Sequence, residues 1–467
     1  MLTFFLDKSI SKSLYEQLYL EIKKAIDNRV LKHGEKLPSK RKLSQHLKIS
    51  QTTVESAYSQ LLAEGYIKSI EKVGYFVAAD VDLLYNMKKS IDKELLTNKP
   101  LEYKVDFKTN QVDTLIFPYE RFAKIERDMV LDSFKENLNR GDSFGVYEFR
   151  KKISEVLFAY RGITAKPEQI VIGSGSEHLI LLLVLLLGRE KIYAVEEPSY
   201  VKNYQLYQAY GVNVRAIGLD EQGISVTELK KNDCEIIHMT PSHQFPMGIV
   251  TPLARRLELL KFASESKNRF IIEDDYDSEF RFSGNPIPAL KGMDKFDKVI
   301  YMNSFSKTLG PSFRISFMVL PEELTIKFRN ELSFFSSSVP TLNQLVLEKF
   351  IANGEYERHL NRAKNSYKNK RDFLISLLKD CSFSKKIRIY GEEAGLHFLV
   401  DVDTLKSEEY LVEKAKKYGV RVYGLSEYFL SSCKYKSKKT IVFGYSNLDF
   451  SSLRNGVEVL EVAWKNI

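Results

Sequence analysis

From Asp106 onward the chain repeats one pattern, a short β-rich apolar run followed by a longer helical stretch. Gln169–Ile172, Lys191–Val195, Cys234–Met239, Phe270–Glu273 and Lys298–Tyr301 are such runs. Strands alternating with helices argue for an α/β body around a large, mostly parallel, doubly wound sheet. Beyond about residue 320 long amphipathic stretches take over. The strand-like Gly395–Val400 and Thr440–Gly444 follow, which fits a smaller α+β lobe. No internal repeat is evident.

Residues 1–79 read differently. Leu14, Leu18, Ile22 and Ile26 recur at four-residue steps behind Ser13, a candidate N-cap. Ser39 is placed to cap a second helix, Lys40 to Leu47. After Lys48-Ile49-Ser50 a third helix is expected from Gln51 to Ala63, with Val54, Tyr58, Leu61 and Leu62 inward and Gly65 ending it. Tyr66–Ile70 and Gly74–Val77 then alternate like a hairpin around Glu71-Lys72-Val73. Two helices joined by a short turn with a hairpin behind make a winged helix-turn-helix, a DNA-binding form. Residues 80–105 have weak periodicity and read as a linker.

Charge agrees with that division. The chain carries a formal net charge of +9, and residues 1–79 hold 13 Lys/Arg against 8 Asp/Glu. More than half of the excess therefore lies in the short first part, where it suits an anionic partner. Three widely spaced cysteines exclude a disulfide framework or a CxxC site, and the seven histidines form no metal-binding cluster. The longest apolar run, Leu179 to Leu187, is too short to span a bilayer. With no signal-peptide pattern at the start, a cytoplasmic protein without membrane association is expected.

The body carries the chemistry. Lys307, in Asn303-Ser304-Phe305-Ser306-Lys307-Thr308-Leu309-Gly310, follows a strand, sits among hydroxyls and precedes Arg314 by seven residues. That setting suits a Schiff-base lysine beside a phosphate held by hydroxyls and a guanidinium. Pyridoxal phosphate also needs a carboxylate at its pyridine nitrogen and gains from a phenol at its ring oxygen. Asp274 and Tyr276, just past Phe270–Ile272, supply both. Gly173-Ser174-Gly175-Ser176 leads into a helix N-terminus, an anion-binding geometry, although such a turn alone is more often only a tight turn. Tyr200, in Glu197-Pro198-Ser199-Tyr200, is available to stack on a pyridine ring; singly, it and His243 read as core residues.

These segments, in this order, resemble the fold-type I aminotransferases over roughly residues 106–467. The first part resembles the GntR family through Leu37-Pro38-Ser39-Lys40-Arg41-Lys42-Leu43, Gln51-Thr52-Thr53-Val54 and Leu62-Ala63-Glu64-Gly65-Tyr66. The combination resembles the MocR/GabR family of transcriptional regulators, as do Ser242–Gly248, Ile272–Phe280 and Asn303–Arg314. The resemblance implies pyridoxal 5′-phosphate on Lys307, ring contacts from Asp274, Tyr276 and Tyr200, and phosphate contacts from Gly175, Ser176, Ser304 and Arg314. It also implies a head-to-tail homodimer that binds a double-stranded DNA operator and uses the cofactor as a sensor. The effector is an amino acid, an ω-amino acid or the cofactor itself. Arg41, Gln51, Thr52, Thr53, Lys72 and Gly74 are the expected DNA contacts.

Two departures matter. The family usually has arginine where Gln51 stands, and Gln pairs with adenine where Arg prefers guanine, so the operator is expected to differ. Amino-acid aminotransferases also carry an arginine before a late strand to grip the substrate carboxylate. Lys439-Thr440 stands there instead, with Arg421 as a possible substitute. This weakens the alternative, a working class I aminotransferase with an accessory DNA-binding head.

Overall fold

Three serines start the first three helices. In the computed structural model, Glu16 Oε2 accepts from Ser13 N at 3.3 Å and from Ser13 Oγ at 3.1 Å, opening α1 (Leu14–Asp27). Ser39 Oγ accepts from Lys42 N ahead of α2 (Lys40–Leu47), and Ser50 Oγ from Thr53 N ahead of α3 (Gln51–Ala63). The Ser39 and Ser50 bonds each satisfy an orphan amide of a first turn. The structure describes residues 4, 6, 7, 12–79, 103–132, 138, 141–283, 288–430 and 439–465, and the chain divides into two units, Met1–Leu101 and Glu102–Ile467.

In the first unit Leu18, Ile22, Ile26, Leu43, Val54, Ala57, Tyr58 and Leu61 form one buried core. Leu62, expected inward, is half-buried, and Ala57 on the face of Val54 and Leu61 takes the inward place. The Tyr58 hydroxyl donates to Pro38 O at 2.9 Å, so its burial leaves no unpaired group. Lys48, left-handed at φ 53°, turns α2 into α3. β1 (Ile67–Ile70) and β2 (Gly74–Val77) pair antiparallel from Ile67↔Val77 to Ile70↔Gly74, with Lys72 left-handed and exposed at the tip. The unit is a winged helix-turn-helix.

The linker reading of 80–105 falls outside the described residues as far as 102. Beyond that, Lys104 N donates to Gly419 O, and Val105 lies buried in the second unit. That unit's strands are β3 (Val105–Asp106), β4 (Ile170–Gly173), β5 (Ile192–Glu197), β6 (Asn213–Asp220), β7 (Gly223–Ile224), β8 (Ile236–Met239), β9 (Phe270–Asp275), β10 (Val299–Ser304) and β11 (Ser316–Val319). They continue with β12 (Ile387–Tyr390), β13 (His397–Val402), β14 (Val420–Arg421), β15 (Tyr423–Gly424) and β16 (Thr440–Gly444).

The large sheet has the order β4-β11-β10-β9-β8-β5-β6-β7. β10, β9, β8, β5 and β6 run parallel, while β11 and the short β7 run antiparallel to their neighbours. Alternate residues feed opposite cores. Ile300, Met302 and Ile272 pack with the helix Ser176–Leu187, whereas Tyr301 and Phe317 pack with the helix Tyr147–Arg161. Covering both faces explains why these strands are apolar nearly throughout. The smaller lobe is an antiparallel sheet, β12-β13-β16-β15, packed on the helices Glu355–Asp380 and Phe450–Ala463, with β3 and β14 paired in parallel. Among the described residues no helix is long and apolar enough to cross a membrane.

Leu43 is fully buried at the centre of the first unit. Leu43→Ala should therefore cost that unit about 2–5 kcal/mol. Amide hydrogen exchange on the intact chain should show lost protection across residues 14–77, and unchanged protection would refute the core assignment.

Candidate functional site

The parallel strands end together, and their C-terminal ends form a crevice, the usual ligand site of an open α/β sheet. Ser176, Tyr200, Asp274, Tyr276, Ser304, Lys307 and Arg314 line one cavity of about 220 Å³ there. Glu177, Lys202, Asn110 and His238 line it as well.

One end is built for an anion. Gly175, at φ +93°, delivers the chain into the N-terminus of the helix Ser176–Leu187, whose first amides and dipole favour negative charge. Arg314 is held left-handed at φ 51°, and its Nη2 donates to Ser174 O at 3.1 Å and to Glu177 Oε2 at 3.1 Å. A Cβ on Gly175 would lie 2.4 Å from that Nη2, so glycine is what lets the guanidinium approach the turn. Lys202 also pairs with Glu177, and the Lys202 bond, with Arg314 behind it, holds that carboxyl below its usual range. The Ser304 hydroxyl donates to Ser306 Oγ at 2.7 Å and accepts from Ser306 N at 3.1 Å, fixing both serines at the cavity.

The middle carries ionisable groups. Lys307 Nζ donates to Asn110 Oδ1 at 2.7 Å, and burial lowers its pKa to about 8, with Asp277 and Asp274 opposing the shift. Asp274 Oδ2 lies 3.3 Å from His238 Nε2, and Tyr207 OH meets His238 Nδ1 at 2.8 Å, so a buried chain of contacts orients the Asp274 carboxylate. Tyr276 OH lies 3.0 Å from His243 Nδ1, which also meets Asp277 Oδ2 at 2.9 Å. Burial pushes the Tyr276 phenol well above its ordinary range. The Tyr200 ring meets Phe245 edge-on at 5.9 Å.

Asn110, Glu177, Lys202 and His238 escaped the sequence reading. Asn110 lies 197 residues from Lys307, and only the fold joins them. His238 stood on an expected strand, and its polarity within an apolar run was a usable signal. The two proposed carboxylate-binding cations are elsewhere. Arg421 packs over the Tyr103 and Tyr423 rings, and Lys439 lines a separate small-lobe cavity beside Asp401. Among the described residues the cations lining the main cavity are Lys202, Lys307 and Arg314, and the first and last share Glu177.

In the first unit Arg41, Gln51, Thr52 and Lys72 are exposed, and Thr53 and Gly74 are half-buried. The Thr52 and Thr53 hydroxyls lie 2.8 and 2.7 Å from Ser50 Oγ at the start of α3.

Residues 102–433 match the family Aminotransferase class I and II, and residues 14–77 match Bacterial regulatory proteins, gntR family. The chain is 39% identical over 471 residues to the uncharacterized HTH-type transcriptional regulator YdeL of Bacillus subtilis (strain 168), covering 99% of each chain. It is 28% identical to the probable rhizopine catabolism regulatory protein MocR of Rhizobium meliloti, covering 98% of this chain and 95% of that one. The chain belongs to the MocR/GabR type of HTH-type regulators. Members of that type join a gntR-family head to an aminotransferase-like unit. The chain also matches the crystal structure of kynurenine aminotransferase from Pyrococcus horikoshii in complex with PMP. That likeness has a TM-score of 0.67 and 24% identity, and covers 83% of this chain and 94% of that one.

Burial disfavours the Lys307 ammonium, so neutral amine should accumulate as pH rises through about 8. Acetylation of the cofactor-free protein, followed by peptide mass spectrometry, should show Lys307 labelling rise through that pH. Labelling of Lys307 that rises only with the exposed lysines, near pH 10.4, would contradict the burial argument.

Proposed function

We propose that this MocR/GabR-type protein is a transcriptional regulator whose aminotransferase-like unit holds pyridoxal 5′-phosphate as a sensor. The carrying observation is one cavity that unites the half-buried Lys307, the oriented Asp274 and the Gly175–Arg314 anion cradle, in a chain that also has a gntR-type head. Bound there, the cofactor offers an electrophilic aldehyde carbon to Lys307 and an electron-withdrawing pyridine ring. Asp274, oriented by His238, would hold the ring nitrogen's proton. Tyr276 would face the ring oxygen, and Tyr200 would cover the ring. Ser176, Ser304, Arg314 and the amides after Gly175 would hold the phosphate.

The cavity favours sensing over turnover. Lys202 and Arg314 are committed to Glu177 at the anion end, and the opposite side is lined by Phe245 and Tyr276, which pack with Val442 and Tyr428. Among the described residues no arginine stands there to grip a substrate carboxylate. The effector in this reading is an amino compound or the cofactor itself, and it acts by binding two conformations unequally. The regulator works as a cytoplasmic homodimer, head to tail. Arg41, Gln51, Thr52, Thr53, Lys72 and Gly74 meet operator DNA, with α3 in the major groove and the hairpin tip on the backbone.

Borohydride reduction after adding the cofactor should fix it on Lys307 in the wild type and not in Lys307→Ala. Gly175→Val, which displaces Arg314, should weaken cofactor binding by about tenfold or more. Absence of the wild-type adduct would refute the site. In gel shifts with DNA flanking the protein's own gene, Lys72→Ala should weaken binding to all sequences and lower the salt slope by about one, whereas Gln51→Ala should relax sequence preference. No specific shift at moderate salt would refute the regulator reading.

A further inference from the structure

Ser304 turns toward the Lys307 cavity, so its strand neighbour Asn303, with Tyr301, faces the other side of β10. A second cavity of about 140 Å³ lies there, against the helices Tyr147–Arg161 and Glu355–Asp380. Ile153, Leu157, Phe305, Phe317 and Leu360 give it an apolar wall.

Its charged groups are unequal. Arg161 is committed to Asp275, Nε to Oδ2 at 2.8 Å with both side chains buried, and Lys364 is half-buried. Glu279 and Arg281 line the cavity two residues apart. Asn303 Nδ2 donates to Glu279 Oε1 at a long 3.4 Å, and burial, with the nearby Asp275 charge, raises the Glu279 carboxyl to about 7. Arg281 Nε is buried without a hydrogen-bond partner among the described residues, and its Nη2 is 4.0 Å from Glu393. A buried donor without a partner is costly, and so is a desolvated carboxylate. A simple amine would answer only Glu279, and a simple anion only Arg281.

We propose that this cavity binds a free α-amino acid with an apolar side chain as a second effector, ammonium on Glu279, carboxylate on Arg281, side chain against Leu157 and Phe305. A dry apolar cavity of about 150 Å³ holds a benzene ring. The observed volume, which must also hold the ammonium and carboxylate, thus limits the side chain to a small branched aliphatic one. The occupant touches the element that carries the main site, since Glu279 follows Asp274 and Tyr276 on one segment. That segment continues into the small lobe, where Gly395 N donates to Phe280 O at 2.9 Å and Phe282 N to Glu393 O at 3.0 Å. Binding here needs no reaction at Lys307, so it goes beyond the sensor reading and fails separately from it.

Calorimetry of the full-length protein with L-leucine is the test. The wild type should bind with a Kd of about 1 mM or tighter. Lys307→Ala should bind within about twofold of that, as expected of an independent site. Glu279→Gln and Arg281→Met should each weaken binding by about tenfold or more, as should replacing leucine with isoamylamine or isocaproate. Leu157→Trp, which fills the cavity without touching either charge, should abolish binding, and it decides the matter if a charge variant fails to fold. Absence of wild-type binding would overturn the proposal. So would binding that is lost in Lys307→Ala but kept in Leu157→Trp, because the amino acid would then occupy the other cavity.

Discussion

The pairing of β9 with β10 underlies everything else in the second unit. The strands run parallel with Asp274 opposite Met302 and Asp275 opposite Asn303, which sets the Asp274 carboxylate beside the turn that carries Lys307. Beneath the cavity Asp275 Oδ2 locks that register. It accepts from Tyr301 OH at 2.6 Å and Ser278 Oγ at 2.9 Å and pairs with Arg161 at 2.8 Å. Removing one partner of such a buried pair costs about 3–5 kcal/mol, because the other charge is left stranded. The register is therefore well specified, and with it the spacing of carboxylate and amine.

The anion end depends on a different constraint, close approach. Gly175 lacks the Cβ that would strike the guanidinium, and Arg314 adopts a left-handed backbone. Strain at a non-glycine residue persists where surrounding contacts impose it, and such residues cluster at ligand sites. Glu177 supplies the contact here, holding Arg314 and Lys202 together beside the helix N-terminus. Two cations over one carboxylate leave a local positive excess, which suits a multiply charged phosphate.

Much of this was legible in the residues. The second and third helices run over Lys40–Leu47 and Gln51–Ala63 as the serine caps and apolar spacing predict. The apolar runs became the strands of the sheet because burial on both faces leaves a continuous signal. The lysine, aspartate, tyrosine and glycine segments meet in one cavity because each sits at or just past the C-terminal end of a strand. Partners that depend on distant chain segments were not legible. Asn110 on Lys307 is one, and Tyr207 behind His238 is another. Arg421 stood out as a candidate by charge alone, but aromatic neighbours hold it elsewhere. The second cavity left no sequence signal, because nothing in the residues marks Glu279 and Arg281 as a pair until the fold brings Asn303 and Leu157 to them.

A sensor at Lys307 must couple the state of its cavity to DNA affinity. Fluorescence anisotropy of a labelled operator fragment, titrated with protein with and without saturating pyridoxal 5′-phosphate, measures that coupling directly. The cofactor should change the wild-type operator Kd by about fivefold or more, and leave the Kd of Lys307→Ala unchanged. Identical wild-type affinities in the two conditions, at equal protein activity, would contradict it.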